Sequence, residues 1–190
     1  MDGEHREDTL PLMEDVPNNP FSPKTPEEMQ CIQDAIGIFT GNHQHGVDSK
    51  GRVIVPQVFR KKLGSSFVVG PSRDFKSIAL YPTLVWAQMM QEFKILEDHF
   101  IPSVAKEMKM MTTYSSLNQE CDNQGRILLP AVLRQRILGD ERDVNITGNR
   151  NHVCITACSV EENEWDDFVK NLDYYQAEKQ KFYDDQRRRD

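Results

Sequence analysis

The fold of this chain is decided by a stretch that occurs twice: DSKGRVIVPQVFRKKL at residues 48–63 and DNQGRILLPAVLRQRI at residues 122–137. The copies align without a gap at an offset of 74 residues, and six of their sixteen positions are identical. Two copies are too few for a solenoid, which stacks many neighbours at a shorter period. The duplication therefore predicts one pseudo-symmetric domain whose two halves pack on each other.

Each copy predicts a strand, a tight turn, a return strand and a short helix. Gly51 suits the positive φ of a hairpin turn, and the proline after the return strand opens the helix. Phe59 and Leu63 lie four residues apart and should face inward, as should Leu133 and Ile137 in the second copy. Two more strands and a longer helix follow each copy, so the fold class is α+β.

The longer helices carry matching tryptophans, Trp86 in the first half and Trp165 in the second. Their place in each apolar stripe predicts that both side chains anchor the core. An additional helix at roughly 104–114 should bridge the halves. The chain then divides into four segments: an acidic extension at 1–37, largely disordered with a short helix near 26–36; a first repeat at 38–113; a second repeat at 114–173; and a charged helical tail at 174–190.

Charge is distributed unevenly along the chain. The net charge is −7, and residues 1–42, with nine acidic and two basic side chains, account for all of it. Residues 48–62 carry five basic side chains against the single carboxylate of Asp48. A compact basic patch on an otherwise neutral body is compatible with phosphate binding.

The compartment follows from the absence of targeting signals. No apolar run approaches the roughly 20 residues of a membrane span. The first thirty residues are acidic and have neither the basic nor the apolar region of a secretory signal. We therefore expect a cytosolic protein without a membrane partner, whose four cysteines, none in a Cys-x-x-Cys pair, are free and buried thiols.

The turn at 48–52 is the principal candidate site. The Asp48 carboxylate can accept hydrogen bonds from the turn and pair with Arg52, which fixes the guanidinium and leaves its other donors pointing outward. A fixed planar fork of donors suits guanine edges or phosphate, and Lys50 adds a mobile charge at the tip. Spacing alone favours a simpler role, in which Asp48 and Arg52 only hold the hairpin together.

The ordered motifs resemble the MraZ family, a branch of the AbrB/MazE-like superfamily. The resemblance covers about residues 38–172 and rests on FTGNHQHGVDSKGRVIVPQVFRKKL from Phe39, ALYPTLVW from Ala79 and CDNQGRILLPAVLRQRIL from Cys121. It implies a double-split β-barrel made of two Asp-x-x-x-Arg halves with flanking helices. It also implies a ring-shaped homo-oligomer.

The function implied by the resemblance is regulation of transcription. A regulator of this family would bind double-stranded DNA at short repeats upstream of the division and cell-wall gene cluster, in the cytoplasm and at the nucleoid. Arg52 and Lys50 are the strongest candidates for base and phosphate contacts, and Arg126 is weaker because Gln124 replaces the lysine. The full set of DNA-binding candidates is Asp48, Lys50, Arg52, Arg60, Asp122, Arg126 and Arg134.

Other classes of function find less support in the sequence. There is no Ser-His-Asp arrangement, glycine-rich phosphate loop or carboxylate pair, so neither an enzyme, a cofactor nor a small-molecule substrate is expected. His43 with His45, and His152 with two cysteines, lack further metal ligands in sequence. The alternative is an antitoxin-like or other protein-interaction module of the same superfamily, whose long termini wrap a partner.

Overall fold

The computed structural model describes residues 38–99 and 102–187. It contains helices and an antiparallel sheet, which confirms the mixed architecture. The first half comprises β1 (Asn42–Gly46), β2 (Arg52–Ile54), α1 (Gln57–Leu63), β3 (Phe67–Pro71), β4 (Ile78–Pro82) and α2 (Thr83–Asp98). After α3 (Pro102–Thr113) come β5 (Ser116–Gln119), β6 (Arg126–Leu128), α4 (Ala131–Leu133) with a π-helical turn (Arg134–Leu138), β7 (Asp143–Asn149), β8 (His152–Ala157), α5 (Cys158–Lys170) and α6 (Leu172–Arg187).

The two halves are interleaved in the main sheet. Its six antiparallel strands follow the order β1-β7-β8-β4-β3-β5. The first strand of each half therefore pairs with the other half, β1 with β7 and β5 with β3. The central pair is β4 with β8, so the strand order reads the same from either edge once the halves are exchanged. The duplication in the sequence thus appears in space as a pseudo-twofold axis.

A second, two-stranded ribbon lies on the same axis. β2 and β6 are antiparallel, and Val53 stands opposite Ile127, its own equivalent in the other copy. Two backbone hydrogen bonds extend the ribbon: Val55 N–H donates to the Gly125 carbonyl at 2.9 Å, and Leu129 N–H donates to the Gly51 carbonyl at 3.0 Å. Each half therefore holds the turn of the other.

The core has two layers because the sheet is apolar on both faces in its first half. One face packs against the ribbon and the short helices α1 and α4, through a cluster that includes Val53, Phe59, Ile127 and Leu133. On the other face, a cluster containing Trp86 fills the space beneath α2 and α3. Burial of these aliphatic and aromatic side chains is the dominant favourable contribution to folding.

The helix after β6 departs from the expected periodicity. Phe59 and Leu63 are both buried, four residues apart as predicted. In the second copy Leu133 is buried, but the partner is Leu138, five residues on, and Ile137 is only partly buried. Ile137 packs against the core cluster as predicted but is only partly buried, because the wider π-helical turn brings Leu138 into the fully buried position.

The prediction that Trp165 anchors the core was wrong. Trp86 is 8 % exposed, because α3 covers the apolar side of α2. Its counterpart Trp165 is 69 % exposed, and none of α5 is buried. The sheet beneath α5 presents Asn145 and Thr156, polar side chains that offer an aromatic stripe little to pack against.

The remaining predictions concern the N-terminal extension, the cysteines, membrane spans and the C-terminal tail. The extension at 1–37, with its helix near 26–36, and Cys31 lie outside the described residues. Cys121, Cys154 and Cys158 are free thiols, as predicted, but the predicted burial holds only for Cys154, since Cys121 and Cys158 are partly exposed. Within the described residues, no helix is both long and apolar enough to cross a membrane. The tail is helical as far as Arg187.

The crossing of the chain over β7 gives a sharp test of the packing. A Cβ on Gly148 would clash with the backbone of Phe39 and Thr40, whereas one on Gly46 would meet nothing within 4 Å. We expect Gly148→Ala to lower the free energy of unfolding by about 1–3 kcal/mol, because backbone cannot move aside as a side chain can. Gly46→Ala is the matched control and should change it by less than about 1 kcal/mol. Equal urea midpoints for the two variants would contradict this account.

Candidate nucleic-acid interface

The first candidate turn is built around the Asp48 carboxylate. Oδ1 accepts hydrogen bonds from the backbone N–H groups of Lys50 and Arg52, both at 2.9 Å. Oδ2 accepts from Arg52 Nε at 2.8 Å and lies 2.7 Å from Nη2. Gly51, at φ 79°, completes the three-residue loop in a backbone conformation that residues other than glycine rarely adopt. The guanidinium is thereby held by two of its nitrogens on one oxygen.

The second turn repeats this geometry almost atom for atom. Asp122 Oδ1 accepts from the N–H groups of Gln124 and Arg126 at 2.9 Å. Its Oδ2 accepts from Arg126 Nε at 2.8 Å and lies 2.8 Å from Nη2. Gly125 has φ 75°. The sequence differs at the tip, with Gln124 in the place of Lys50, yet the arginine is oriented in the same way.

Hydrogen bonding keeps both carboxylates ionised. The Arg52 backbone N–H, followed by its side chain, lowers the pKa of Asp48 to about 2. The pKa of Asp122 is also lowered, first by the Arg126 side chain and then by its backbone N–H. At neutral pH each arginine therefore faces a carboxylate that is charged and already committed to its turn.

Arg60 and Arg134, also predicted to be in the site, reach across to the opposite half. A Cβ on Gly125 would overlap the guanidinium of Arg60, and one on Gly51 would overlap that of Arg134. Arg60 Nε is buried and has no hydrogen-bond partner among the described residues. These arginines therefore cover the turns of the other half, a reciprocal placement that spacing in the sequence does not reveal.

The structure brings all seven predicted site residues to the two turns and the helices beside them. Five basic side chains stand against two carboxylates, a formal excess of three positive charges. The sequence did not single out Ile54 and Leu128, which lie on the outward face of the ribbon. Their position two residues after Arg52 and Arg126, on the same face of each strand, is the signal that could have found them.

Histidines and cysteines were the candidate metal ligands in the sequence. Across residues 38–99 and 102–187, no group of three or more His, Cys, Asp or Glu side chains is arranged to hold a metal ion. The histidine-and-cysteine candidate contains His152, whose pKa is lowered by burial and whose ring stacks on Tyr81 at 4.9 Å between centroids. His152 therefore packs against an aromatic side chain.

The hydrogen bonds of the first turn predict how Asp48 titrates. Its folded pKa lies below the ordinary value of 3.8, so the stabilisation it gives is complete above pH 3.8 and is lost as the pH falls through about 2. We expect NMR of the Asp48 carboxyl carbon to give a midpoint near 2. Arg52→Ala should raise the midpoint only part of the way to 3.8, because the backbone N–H remains. A wild-type midpoint at 3.8 would contradict the described geometry.

Comparison with known proteins agrees with the double motif. The model of the MraZ protein family, described as antitoxin-like, matches residues 38–104. Proteins named transcriptional regulator MraZ are similar over most of the chain. That of Moorella thermoacetica is 32 % identical over 148 residues, which cover 77 % of this chain and 98 % of the relative. That of Desulforamulus reducens is 36 % identical over 129 residues, covering 68 % and 85 %. That of Natranaerobius thermophilus is 35 % identical over 141 residues, covering 72 % and 90 %. The chain belongs to the MraZ family.

Proposed function

We propose that this protein is a sequence-specific DNA-binding regulator of transcription. The observation that carries the proposal is the pair of arginines, Arg52 and Arg126, each fixed by an aspartate on one two-stranded ribbon. The relatives named above are transcriptional regulators, which is not a class of enzyme. A role without catalysis is accordingly part of the proposal.

The dimensions of the ribbon suit DNA. The major groove is about 12 Å wide and admits a two-stranded β-ribbon, and arginine bonded to guanine O6 and N7 is the commonest specific contact there. Arg52 uses Nε and one proton of Nη2 on Asp48, which leaves Nη1 and the second proton of Nη2 for a bidentate contact. Lys50, at the exposed tip of the first turn, would meet the phosphate backbone and contribute affinity without sequence preference.

The finer parts of the proposal follow the family resemblance. The DNA would be short repeats upstream of the division and cell-wall gene cluster, bound at the nucleoid in the cytoplasm. The sheet and ribbon would together form a double-split β-barrel composed of the repeats at 38–113 and 114–173. Asp48 and Asp122 would orient the reading arginines, while Arg60 and Arg134 would hold the turns and add positive charge.

A ring of subunits would explain the uncovered surface of α5. Trp165, Phe168 and Val169 form one stripe along α5 and are 49–69 % exposed, and Leu172, the first residue of α6, is 37 % exposed. Exposed apolar stripes of this kind commonly mark interfaces. A single ribbon makes few phosphate contacts, and linked copies would raise the effective concentration of the second contact.

The same stripe supports the alternative of a protein-interaction module. A partner protein, in place of a second subunit, would then cover Trp165, and the family description as antitoxin-like agrees with that reading. The two functions differ in what depends on Arg52. DNA regulation requires its guanidinium, whereas a partner bound at α5 does not contact the ribbon.

Arg52→Ala tests the proposed base contact. We expect the variant to lose about fivefold to 150-fold in preference for the DNA upstream of its own gene over random DNA, because a bidentate arginine contact is worth roughly 1–3 kcal/mol. Lys50→Ala should weaken binding to all sequences alike and flatten the salt dependence. Fluorescence anisotropy across a range of salt concentrations measures both effects.

The control is Arg136→Ala. Arg136 is exposed, its guanidinium lies over the Tyr114 ring at 5.5 Å, and it is not one of the predicted DNA-binding residues. This variant should keep the preference for upstream DNA. Thermal melts of Arg52→Ala should fall within a few degrees of the parent, because the Arg52 and Asp48 side chains are 29 % and 35 % exposed and solvent screens their ion pair. A folded Arg52→Ala protein that still discriminates would show that another residue reads the sequence.

Light scattering tests the ring. We expect the wild-type protein to form a closed multimer at micromolar concentration, and Trp165→Glu to shift it to smaller species by placing a charge in the apolar interface. Leu117→Glu is the control, since Leu117 is 57 % exposed on β5 and lies outside the stripe. A wild-type monomer, or a multimer indifferent to Trp165→Glu, would count against α5 as the subunit interface.

A further inference from the structure

The outward face of the ribbon carries two aliphatic side chains beside its two arginines. In the register of β2 with β6, Arg52 stands opposite Leu128 and Ile54 stands opposite Arg126. Side chains alternate between the two faces of a strand, so these four share one face. Val53 and Ile127 point the other way and are 1 % and 3 % exposed.

Ile54 and Leu128 are left in water by this arrangement, at 45 % and 60 % exposure. They are equivalent positions of the two copies, so the exposure is a property of the repeat. Directly opposed residues of an antiparallel pair have Cβ atoms about 4.5–5.5 Å apart. Each exposed aliphatic therefore lies beside an arginine already fixed by its aspartate.

The chemistry of the face selects its occupant. The turns around it carry an excess of positive charge, which favours a polyanion over a second copy of the same positively charged face. In the major groove of DNA, the apolar group presented by a base pair is the C5 methyl of thymine. Successive base pairs are stacked about 3.4 Å apart, so two opposed side chains whose Cβ atoms are about 4.5–5.5 Å apart can reach neighbouring base pairs.

We propose that Ile54 and Leu128 are specificity-determining residues that contact thymine methyl groups next to the guanines bound by Arg126 and Arg52. This proposal rests on the proposed DNA-binding function and deepens it. The recognised sequence then contains a guanine and a thymine on neighbouring base pairs, and the ribbon presents that pair of contacts twice. The apolar contact rejects cytosine and uracil, which lack the methyl group.

The test exploits uracil, which differs from thymine only by the methyl group. Duplexes are first selected by the full-length wild-type protein from a random-sequence pool, and the enriched duplex is then remade with uracil at each thymine in turn. We expect affinity to fall roughly fourfold for each contacted methyl, the effect of removing one buried methyl group. This measurement needs no variant and so cannot be confounded by misfolding.

A variant then assigns the effect to the two side chains. In the double variant Ile54→Ser with Leu128→Ser, replacing thymine by uracil should no longer change affinity, since there is no apolar partner to lose. Leu117→Ser removes an equally exposed aliphatic outside the ribbon and should keep the wild-type sensitivity to uracil. Binding to random duplex should be equal for all three proteins, because phosphate contacts are untouched.

The outcomes separate the two proposals. Sequence-selective binding that is indifferent to uracil, or equally sensitive in the double variant, overturns the methyl contact and leaves Arg52 and Arg126 as readers. Failure of the wild-type protein to enrich any sequence overturns the proposed function as well. A change of molecular mass by light scattering in the double variant, with sensitivity to uracil retained, would assign Ile54 and Leu128 to a subunit interface instead.

Discussion

The exchange of backbone hydrogen bonds across the ribbon is the constraint on which the rest of the structure depends. Val55 N–H bonds the Gly125 carbonyl and Leu129 N–H bonds the Gly51 carbonyl, so neither turn is complete within its own half. The main sheet repeats the exchange, since β1 pairs with β7 and β5 with β3. A two-stranded ribbon is marginal in water by itself, and here the buried pair Val53 and Ile127 ties it to the core. Folding and presentation of the candidate site are therefore the same event.

Orientation of the arginines follows from this frame through short, local contacts. Each aspartate uses one oxygen for two backbone N–H groups and the other for the guanidinium. The glycines serve two purposes, because they adopt positive φ and leave room for the guanidinium of the opposite half. A side chain at Gly51 or Gly125 would strain the turn and displace Arg134 or Arg60. Glycine at both positions therefore has two physical causes: the positive φ of its own turn, and the space that the arginine of the opposite half occupies.

The two halves differ most in how their long helices, α2 and α5, pack on the sheet. In the first half, the helical hairpin of α2 and α3 buries Trp86 on an apolar sheet face. In the second half, α5 lies on a face containing Asn145 and Thr156, and Trp165 is left exposed. The π-helical turn after α4 is a smaller departure, which buries Leu138 and leaves Ile137 partly buried beside it. Among the described residues, the difference between α2 and α5 leaves the apolar stripe of α5 exposed, which is where we propose that a second subunit packs.

Most of the strands and helices, and the hydrogen-bonding groups of both turns, could be predicted from the sequence alone. The glycine in each turn and the spacing of Asp48 and Arg52 follow local rules that involve neighbours within five residues, so they can be recognised in the sequence. The gapless repeat shows, also in the sequence, that the same rules apply twice. Which residues face each other across the ribbon, and which helix faces are covered, depends on long-range packing. The pairing of Arg52 with Leu128, the cover of Gly125 by Arg60 and the exposure of Trp165 arise from contacts between residues 65 or more positions apart in the chain, or from the face of the sheet on which a helix packs. Periodicity predicts that a face is apolar, but the chain's own packing decides whether that face is covered.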